Sequence, residues 1–468
     1  MNRAELDALS RDELIGKVLA QTEQLAAVQA TLTQLQADYA ALRLKFDKLQ
    51  APPTTSRNSS QPPSRDQKAD QPESGAKRKY GPPAGHAKHE RQFVADPDHV
   101  VELKAPRCAG CAADLQGQAG TLVDVNQITE VPPAAAEVIE VRQYAVTCPV
   151  CGQIAILPPP AGLEMTRSFG ARLESLVIYY RQEQHMSYER TQTALLNLHG
   201  VTISQGGIDQ IMQRAGQQAA TATLPLQQVV QASAVINSDE TSARINGRNW
   251  WEWVFCTVSA ILHVIKPSRG ADVIQTVMGA HCAEVWGSDC WSAQLKAPAQ
   301  GWQLCLAHQL RNLQAVVDRY PSALWAPAMQ ALFRYAIHVQ HQRDQLPADQ
   351  FAAQVARIAK VCDWLLARPV TQPEALKLQN RYRKHRQHLF VFLERTDVAP
   401  TNNVSERALR ASVVHRKVLG GFRSQWGAEA YAALASVIDT AALKGTQAFE
   451  ALQTLMGPPA LPLPAPRE

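Results

Sequence analysis

Two short apolar segments of the chain each end on an aspartate. Ala234-Val235-Ile236-Asn237-Ser238-Asp239 and Glu284-Val285-Trp286-Gly287-Ser288-Asp289 both read as strands that finish on a carboxylate. Two carboxylates brought together in a crevice repel one another unless a cation sits between them. Mg²⁺, or Mn²⁺ in its place, is a hard ion that takes oxygen ligands and keeps open positions for phosphate oxygens. Two such ions can activate a water or hydroxyl and stabilise the leaving oxygen of a phosphoryl transfer. That chemistry calls for a third carboxylate, and Glu406 is the best placed to supply it. Asn402, Asn403 and Ser405 are helix-starting residues, so Glu406 falls in a first helical turn, where the dipole favours a negative charge.

A second pattern points to a different metal. Cys108-Ala109-Gly110-Cys111 is followed 36 residues later by Cys148-Pro149-Val150-Cys151. Paired cysteines at this spacing can close on one structural Zn²⁺ through four thiolates. A redox pair and four unrelated thiols are the competing readings. The stretch from Leu122 to Val146 is rich in Val, Ile and Thr and predicts short strands. The other five cysteines, Cys256, Cys282, Cys290, Cys305 and Cys362, read as ordinary buried residues.

The elements around the aspartates suggest how they are positioned. After the strand ending at Asp239, Asn246-Gly247 is a hairpin signal, Trp250 to Val258 returns as a strand, and Leu262 to Lys266 forms a third. Gly270 to Met278 reads as a helix, the strand ending at Asp289 follows, and Leu304 to His308 reads as a fifth strand leading into a helix. This is the order of a ribonuclease-H-like fold, in which the first and fourth strands are neighbours and would bring Asp239 beside Asp289. Between Asp289 and Glu406 lie 116 residues, most of them helical in pattern, which implies a large insertion within that fold.

Residues 11–50 alternate apolar positions at spacings of three and four. Val18, Leu25, Leu32, Tyr39 and Phe46 form one series, and Leu14, Val28, Leu35, Leu42 and Leu49 the other, with Gln21 interrupting the second. A narrow stripe of this kind is a coiled-coil signal and suggests self-association. Residues 51–92 are rich in Pro, Ser, Gln and Gly and read as a disordered linker, with eight Lys and Arg against four Asp and Glu. Residues 161–230 read as helical, with Ser204 as an N-cap and a break at Gly200, compatible with a helix-turn-helix or a plain helical hairpin.

The domain plan is therefore a coiled coil (1–50), a basic linker (51–92), a zinc-ribbon-like module (93–160) and a helical segment (161–230). The ribonuclease-H-like α/β catalytic core follows in two parts (231–309 and 397–456), split by the helical insertion (310–396), with a disordered tail (457–468). The fold class is multidomain α+β. The 468 residues carry 47 Lys and Arg against 42 Asp and Glu, a mildly basic balance that permits a nucleic-acid partner without requiring one. No long apolar run suggests a membrane span, and nine cysteines are too few for a disulfide scaffold, so a cytoplasmic setting is expected. Candidate contacts to a DNA backbone are Lys77, Arg78 and Lys79 in the linker, Arg381, Arg383, Lys384 and Arg386 in the insertion, and Arg407, Arg416 and Lys417 beyond Glu406.

These motifs together resemble the bacterial insertion-sequence transposases of the DDE class, in the family numbered sixty-six. The resemblance runs over the heptads, the linker from Thr55 to Ser64, both cysteine pairs, Ser238 to Thr241, Ser288-Asp289, Cys305-Leu306-Ala307-His308, and Thr401 to Lys417, the most specific segment. It implies that Asp239, Asp289 and Glu406 are the acidic triad. His308, Asn402 and Arg410 are assisting candidates, although a packed strand-end histidine is an equal reading of His308. The implied activity cuts the terminal inverted repeats of the element and joins the freed 3′-hydroxyl to target DNA, in a homo-oligomer and with small accessory proteins of the same element. The alternatives are a zinc-dependent DNA-binding regulator, a nuclease of the same fold without strand transfer, and a structural adaptor. Two departures stand out: Asp289-Cys290-Trp291 where relatives have Asp-Gly-Tyr, and Gln309-Leu310-Arg311 where they carry a basic pair.

Overall fold

The computed structural model describes residues 10–49, 58, 92–131 and 134–457. Most of the predicted linker, including Lys77, Arg78 and Lys79, and nearly all of the C-terminal tail lie outside the described residues. The fold is mixed α/β. Among the described residues no helix is long and apolar enough to cross a membrane.

Helix α1 (Arg11–Leu49) opens on a capping box, with the Ser10 N–H donating to Glu13 Oε2 at 2.8 Å and the Glu13 N–H donating to Ser10 Oγ at 3.4 Å. Val18, Leu25, Val28, Leu32, Leu35, Tyr39, Leu42 and Phe46 are all exposed, so the heptad stripe is not covered by the rest of the described chain.

The cysteine-bearing segment departs from its expected strands. Only β1 (Ala145–Thr147) and β2 (Ile154–Ile156) form, an antiparallel ribbon flanking the second cysteine pair. Among the described residues, the remainder of Leu122–Val146 has no partner strand, and Val123, Ile128 and Val138 stand exposed. High β-propensity yields a ladder only where a second edge supplies hydrogen bonds and a packing surface.

Three helices follow: α2 (Ala171–Gln182), α3 (Tyr188–His199) and α4 (Gln205–Gln231). Ser187 and Ser204 cap α3 and α4 as N-cap acceptors, and Gly200 closes α3 in the left-handed region at φ 67°. Their apolar faces share one core with the C-terminal helices: Val177, Ile178, Leu195, Ile208 and Ile211 pack with Leu434, Ile438 and Leu452. Buried Glu174 receives Arg167 at 2.7 Å and Arg214 at 2.5 Å, which ties the segment before α2 to α4.

The central sheet comprises β3 (Val235–Ile245), β4 (Arg248–Cys256), β5 (Ile261–Lys266), β6 (Ala283–Ser288) and β7 (Ala299–Leu304), in the order β5-β4-β3-β6-β7. β3, β4 and β5 are antiparallel, whereas β6 and β7 run parallel to β3. The first and fourth strands of this sheet are neighbours, as the element order implied. Asn246 and Gly247, at φ 49° and 74°, make the expected tight hairpin turn between β3 and β4.

Alternation along β4 assigns the two faces of the sheet. Trp253 and Phe255 pack with Trp286 and with Ile274 of α5 (Ala271–Met278), while Val254 and Cys256 face Leu409 of α11 (Asn403–Leu419). Helix α12 (Gln425–Leu443) covers the α11 side with Tyr431 and Ala435 against Ile245 and Ile265. Helix α13 (Ala448–Met456) ends the described chain.

The insertion contains α6 (Leu306–Arg319), α7 (Trp325–His341), α8 (Ala348–Ala367), α9 (Pro373–Lys384) and the short α10 (Val391–Glu394). Phe333, Tyr382, Trp325 and Phe392 build its core, which continues into Val285 and Leu304 of the sheet. The insertion is thus seated on the β6–β7 edge.

A buried polar cluster fastens α11 and α12 to the sheet. His263 on β5 lies 3.0 Å from Glu252 Oε1 on β4 and 2.9 Å from Asp439 Oδ2 on α12. Ser412 on α11 donates to the other oxygen of Glu252.

Candidate active site

The register of β3 against β6 brings the two aspartates level. Val235, Ile236 and Asn237 pair with Val285, Trp286 and Gly287, a constant offset of fifty positions that, continued by two residues, sets Asp239 opposite Asp289. Neighbouring strands lie about 4.8 Å apart. Asp289 follows the last residue of β6, as expected. Asp239 does not end its strand: β3 runs on to Ile245, with Asp239 paired to Val254 of β4. β6 stops at Ser288 while β3 continues, so Asp289 lies just beyond the strand end beside β3. Gly287 permits the close approach of the two strands, since a Cβ there would lie 2.2 Å from Asn237 Oδ1.

Glu406 sits in the first turn of α11, as its neighbours predicted. Asn402 anchors that turn to the sheet. Its Nδ2 donates to the carbonyl of Ser238 at 2.8 Å, immediately before Asp239, and its Oδ1 accepts from Ser405 Oγ at 2.8 Å. Its own N–H donates to Cys305 Sγ at 3.1 Å. The buried amide therefore links β3, α11 and the start of α6. Asn402→Ala would remove two buried side-chain hydrogen bonds, to the Ser238 carbonyl and from Ser405 Oγ. A loss of about 1–3 kcal/mol is expected in denaturant unfolding.

Electrostatics mark the three carboxylates as one group. Burial pushes the Asp239 carboxyl well above the usual range, and the charges of Glu240, Asp289 and Glu406 push it further, against a lowering hydrogen bond from the Glu240 N–H. Mutual repulsion of this kind is what a hard divalent ion would relieve, although among the described residues the oxygens of Asp239, Asp289 and Glu406 do not all lie within 4.8 Å of one another. Glu406 is partnered by Arg311, whose Nη2 lies 2.7 Å from Oε1. His308 Nδ1 is 3.5 Å from the same oxygen. Burial and the adjacent Arg311 charge lower the His308 pKa, which favours the neutral ring.

The position of His308 corrects the sequence reading. The fifth strand lies earlier, at Ala299–Leu304, and Cys305 to His308 open helix α6. Trp302 and Leu304 pair with Trp286 and Ser288 in register, so the strand's apolar alternation is spent before Cys305. Cys282 and Cys290 also depart from expectation: Cys282 is exposed and Cys290 half-buried, while Cys256, Cys305 and Cys362 are buried.

Sequence reasoning gave Glu240 no role and named Arg311 only as a departure from the family pattern. Glu240 is almost wholly buried; Gln294 Nε2 donates to it at 2.7 Å and Arg269 Nε at 3.0 Å. Arg269 is held between the rings of Trp251 and Trp291, 4.5 and 4.2 Å from their centroids. Alternation along β3 sends Glu240 to the opposite side from Asp239, so its adjacency in sequence hid a different role: it fixes the Trp291 loop that follows Asp289.

The basic candidates divide into two groups. Arg381 and Lys384 lie close enough to Cys290, next to Asp289, for their charges to act on its thiol. Arg407, Arg410 and Lys417 are exposed along α11. Arg383 instead donates to the Leu366 carbonyl at 2.9 and 2.5 Å, and Arg386 pairs with Asp363 at 2.6 Å, so both fasten α8 to α9. Arg416 turns inward to Thr241 Oγ1 at 3.1 Å. All three are held by partners within the chain, Arg383 while remaining exposed.

The cysteine pairs form two turns of the same design. In the first, the Ala112 N–H donates to the Cys108 carbonyl and the Cys108 N–H to the Ala113 carbonyl, both at 2.9 Å; in the second, Gly152 and Gln153 take the same parts around Cys148 at 2.9 and 2.8 Å. Ala112 and Gly152 both sit at positive φ. Backbone N–H groups of Cys111 and Gly110 lower the Cys108 pKa, and those of Cys151 and Val150 do the same for Cys148. The four sulfurs do not converge: among the described residues, the group of three or more metal-ligating side chains with atoms within 4.8 Å of one another is Cys305, His308 and Glu406.

Residues 167–430 match the family model described as "Transposase IS66 family". No curated protein matches the chain significantly.

Proposed function

The chain belongs to the IS66 family of transposases, and from that premise we propose that it cuts the ends of its own insertion sequence and joins the freed 3′-hydroxyl to target DNA in a ribonuclease-H-like catalytic core. The observation that supports this reading is the β3–β6 register, whose offset of fifty, continued by two residues, would set Asp239 opposite Asp289, with Glu406 in the first turn of α11. Asp239, Asp289 and Glu406 are the residues that would hold two Mg²⁺ or Mn²⁺ ions. When bound, such ions supply a more acidic water and charge neutralisation at the leaving oxygen. The protein's part is to hold the carboxylates at fixed spacing, through Asn402 and the Gly287 approach, and to keep His308 neutral beside the scissile phosphate. Arg381, Lys384, Arg407, Arg410 and Lys417 line the approach for a DNA backbone. No covalent protein–DNA intermediate is required.

The surrounding parts follow the sequence plan: a homo-oligomer formed through α1, a basic linker, and small accessory proteins of the same element, in a cytoplasmic setting. The uncovered apolar stripe of α1 supports the coiled coil. The repeated N–H···S turns support thiolate chemistry at both cysteine pairs, and one structural Zn²⁺ is proposed to draw them together as it binds, coupling metal to folding. Cys108→Ser and Cys148→Ser should then each remove the same single equivalent of zinc, measured by elemental analysis. Unequal losses would point to separate sites.

The test is mobility in cells of a marked element bounded by the gene's own ends, with neighbouring small genes supplied. Movement with the native chain and none with Glu406→Gln supports the reading. Equal movement with both would refute the assignment of Glu406, and DNA binding without movement would favour a regulator.

A further inference from the structure

Cys305 sits as the N-cap of α6, beneath the catalytic crevice, and sequence and family place no ion on it. Its sulfur accepts the Asn402 N–H at 3.1 Å. Burial outweighs that N–H and pushes the Cys305 thiol up to about 11, so the sulfur becomes a ligand only where a metal displaces its proton.

The other donors converge on this turn. Cys305, His308 and Glu406 each offer a ligand atom, all within 4.8 Å of one another. The Nδ1 of His308 is buried and has no hydrogen-bond partner. Arg311 occupies Glu406 Oε1, which leaves the second carboxylate oxygen for a metal. Ligand distances of about 2.0–2.3 Å around tetrahedral zinc require donors roughly 3.5 Å apart, so a closing movement of about 1 Å completes the set.

We infer that Cys305, His308 and Glu406 form a second metal site, selective for Zn²⁺ over Mg²⁺, whose occupation withdraws Glu406 from the catalytic carboxylates. A thiolate, an imidazole and one carboxylate suit a borderline ion, whereas the Asp239–Asp289 side offers oxygen alone. Binding releases the thiol proton to solvent, and the fourth position stays open to water or a phosphate oxygen. The withdrawal rests on the proposed catalytic role of Glu406; the binding of zinc does not.

The test uses the full-length chain loaded with Zn²⁺ and freed of excess metal, with bound zinc counted by elemental analysis. Cys305→Ser and His308→Ala should each carry one equivalent less than the native chain, while Asp289→Asn keeps it. Co²⁺ substituted for zinc should show a sulfur-to-metal near-ultraviolet band that is weaker in Cys305→Ser. Circular dichroism establishes that each variant is folded; should one be misfolded, the other decides. Equal zinc content in the folded variants and the native chain would overturn the inference, as would its loss in Asp289→Asn, which would move the ion among the catalytic carboxylates. Added Zn²⁺ should also suppress Mg²⁺-supported cleavage by the native chain. Failure of all cleavage would count against the proposed function, and the zinc count would still decide this inference.

Discussion

Asp289→Asn is expected to lower DNA cleavage on the order of 10³-fold while leaving the fold and the binding of DNA ends intact. The substitution keeps the shape of the side chain and removes its charge. The Trp291 N–H donates to Asp289 Oδ1 at 2.9 Å, and an amide oxygen accepts the same bond, so the loop after β6 stays in place. The loss falls on the carboxylate group itself. Asp289 is one of the like charges that raise the Asp239 pKa, so its neutralisation lets Asp239 ionise more readily. A change acting through Asp239 protonation alone would therefore raise activity at low pH; the account predicts the opposite, because two charges are needed to hold the ions. Single-turnover cleavage of end DNA beside a gel-shift measurement separates the two effects. Cleavage at the native rate would remove Asp289 from the site.

The second large effect is on stability. Burial of His263 alone would lower its pKa, yet hydrogen bonds to Asp439 and Glu252, with their charges, raise it to about 9 from 6.5. The folded state thus holds the proton more tightly than the unfolded chain. The stabilisation is fully present below pH 6.5 and is lost as the pH rises through 9, amounting to about 3 kcal/mol across that window. Denaturant midpoints followed by tryptophan fluorescence should fall between pH 6.5 and 9.5. His263→Gln should be less stable at pH 6.5 and show a flatter profile across the same window. A native chain with constant midpoints would mean that the ring is neutral when folded. The cluster matters to function because Ser412, bonded to Glu252, lies on the same helix as Glu406.

The parts of the fold governed by local chemistry were legible in the sequence. Asn246-Gly247 announced its turn, Ser204 and Gly200 their helix boundaries, and Glu406 its first-turn position, because each depends on a few adjacent residues. The adjacency of the first and fourth strands followed from element order. The parts that depend on distant partners were harder to read. Leu122–Val146 has the composition of strands but meets almost no second edge. Arg383, Arg386 and Arg416 look like a basic surface in sequence, and only the packed chain shows their partners, the Leu366 carbonyl, Asp363 and Thr241. Glu240 and Cys305 were passed over for related reasons. The first is masked by its neighbour Asp239, and the second was assigned to a strand that ends one residue before it.

The central claim is that this chain joins DNA strands through Asp239, Asp289 and Glu406. The most direct measurement incubates the purified chain with a short duplex of the element's end, already cut to expose its 3′-hydroxyl, and a supercoiled target. Mg²⁺ or Mn²⁺ is present, and the products are resolved by gel electrophoresis. The account predicts joined products that require the divalent ion, vanish with Glu406→Gln and carry no protein after denaturation. Joined products from Glu406→Gln, or a protein–DNA adduct that survives denaturation, would contradict it.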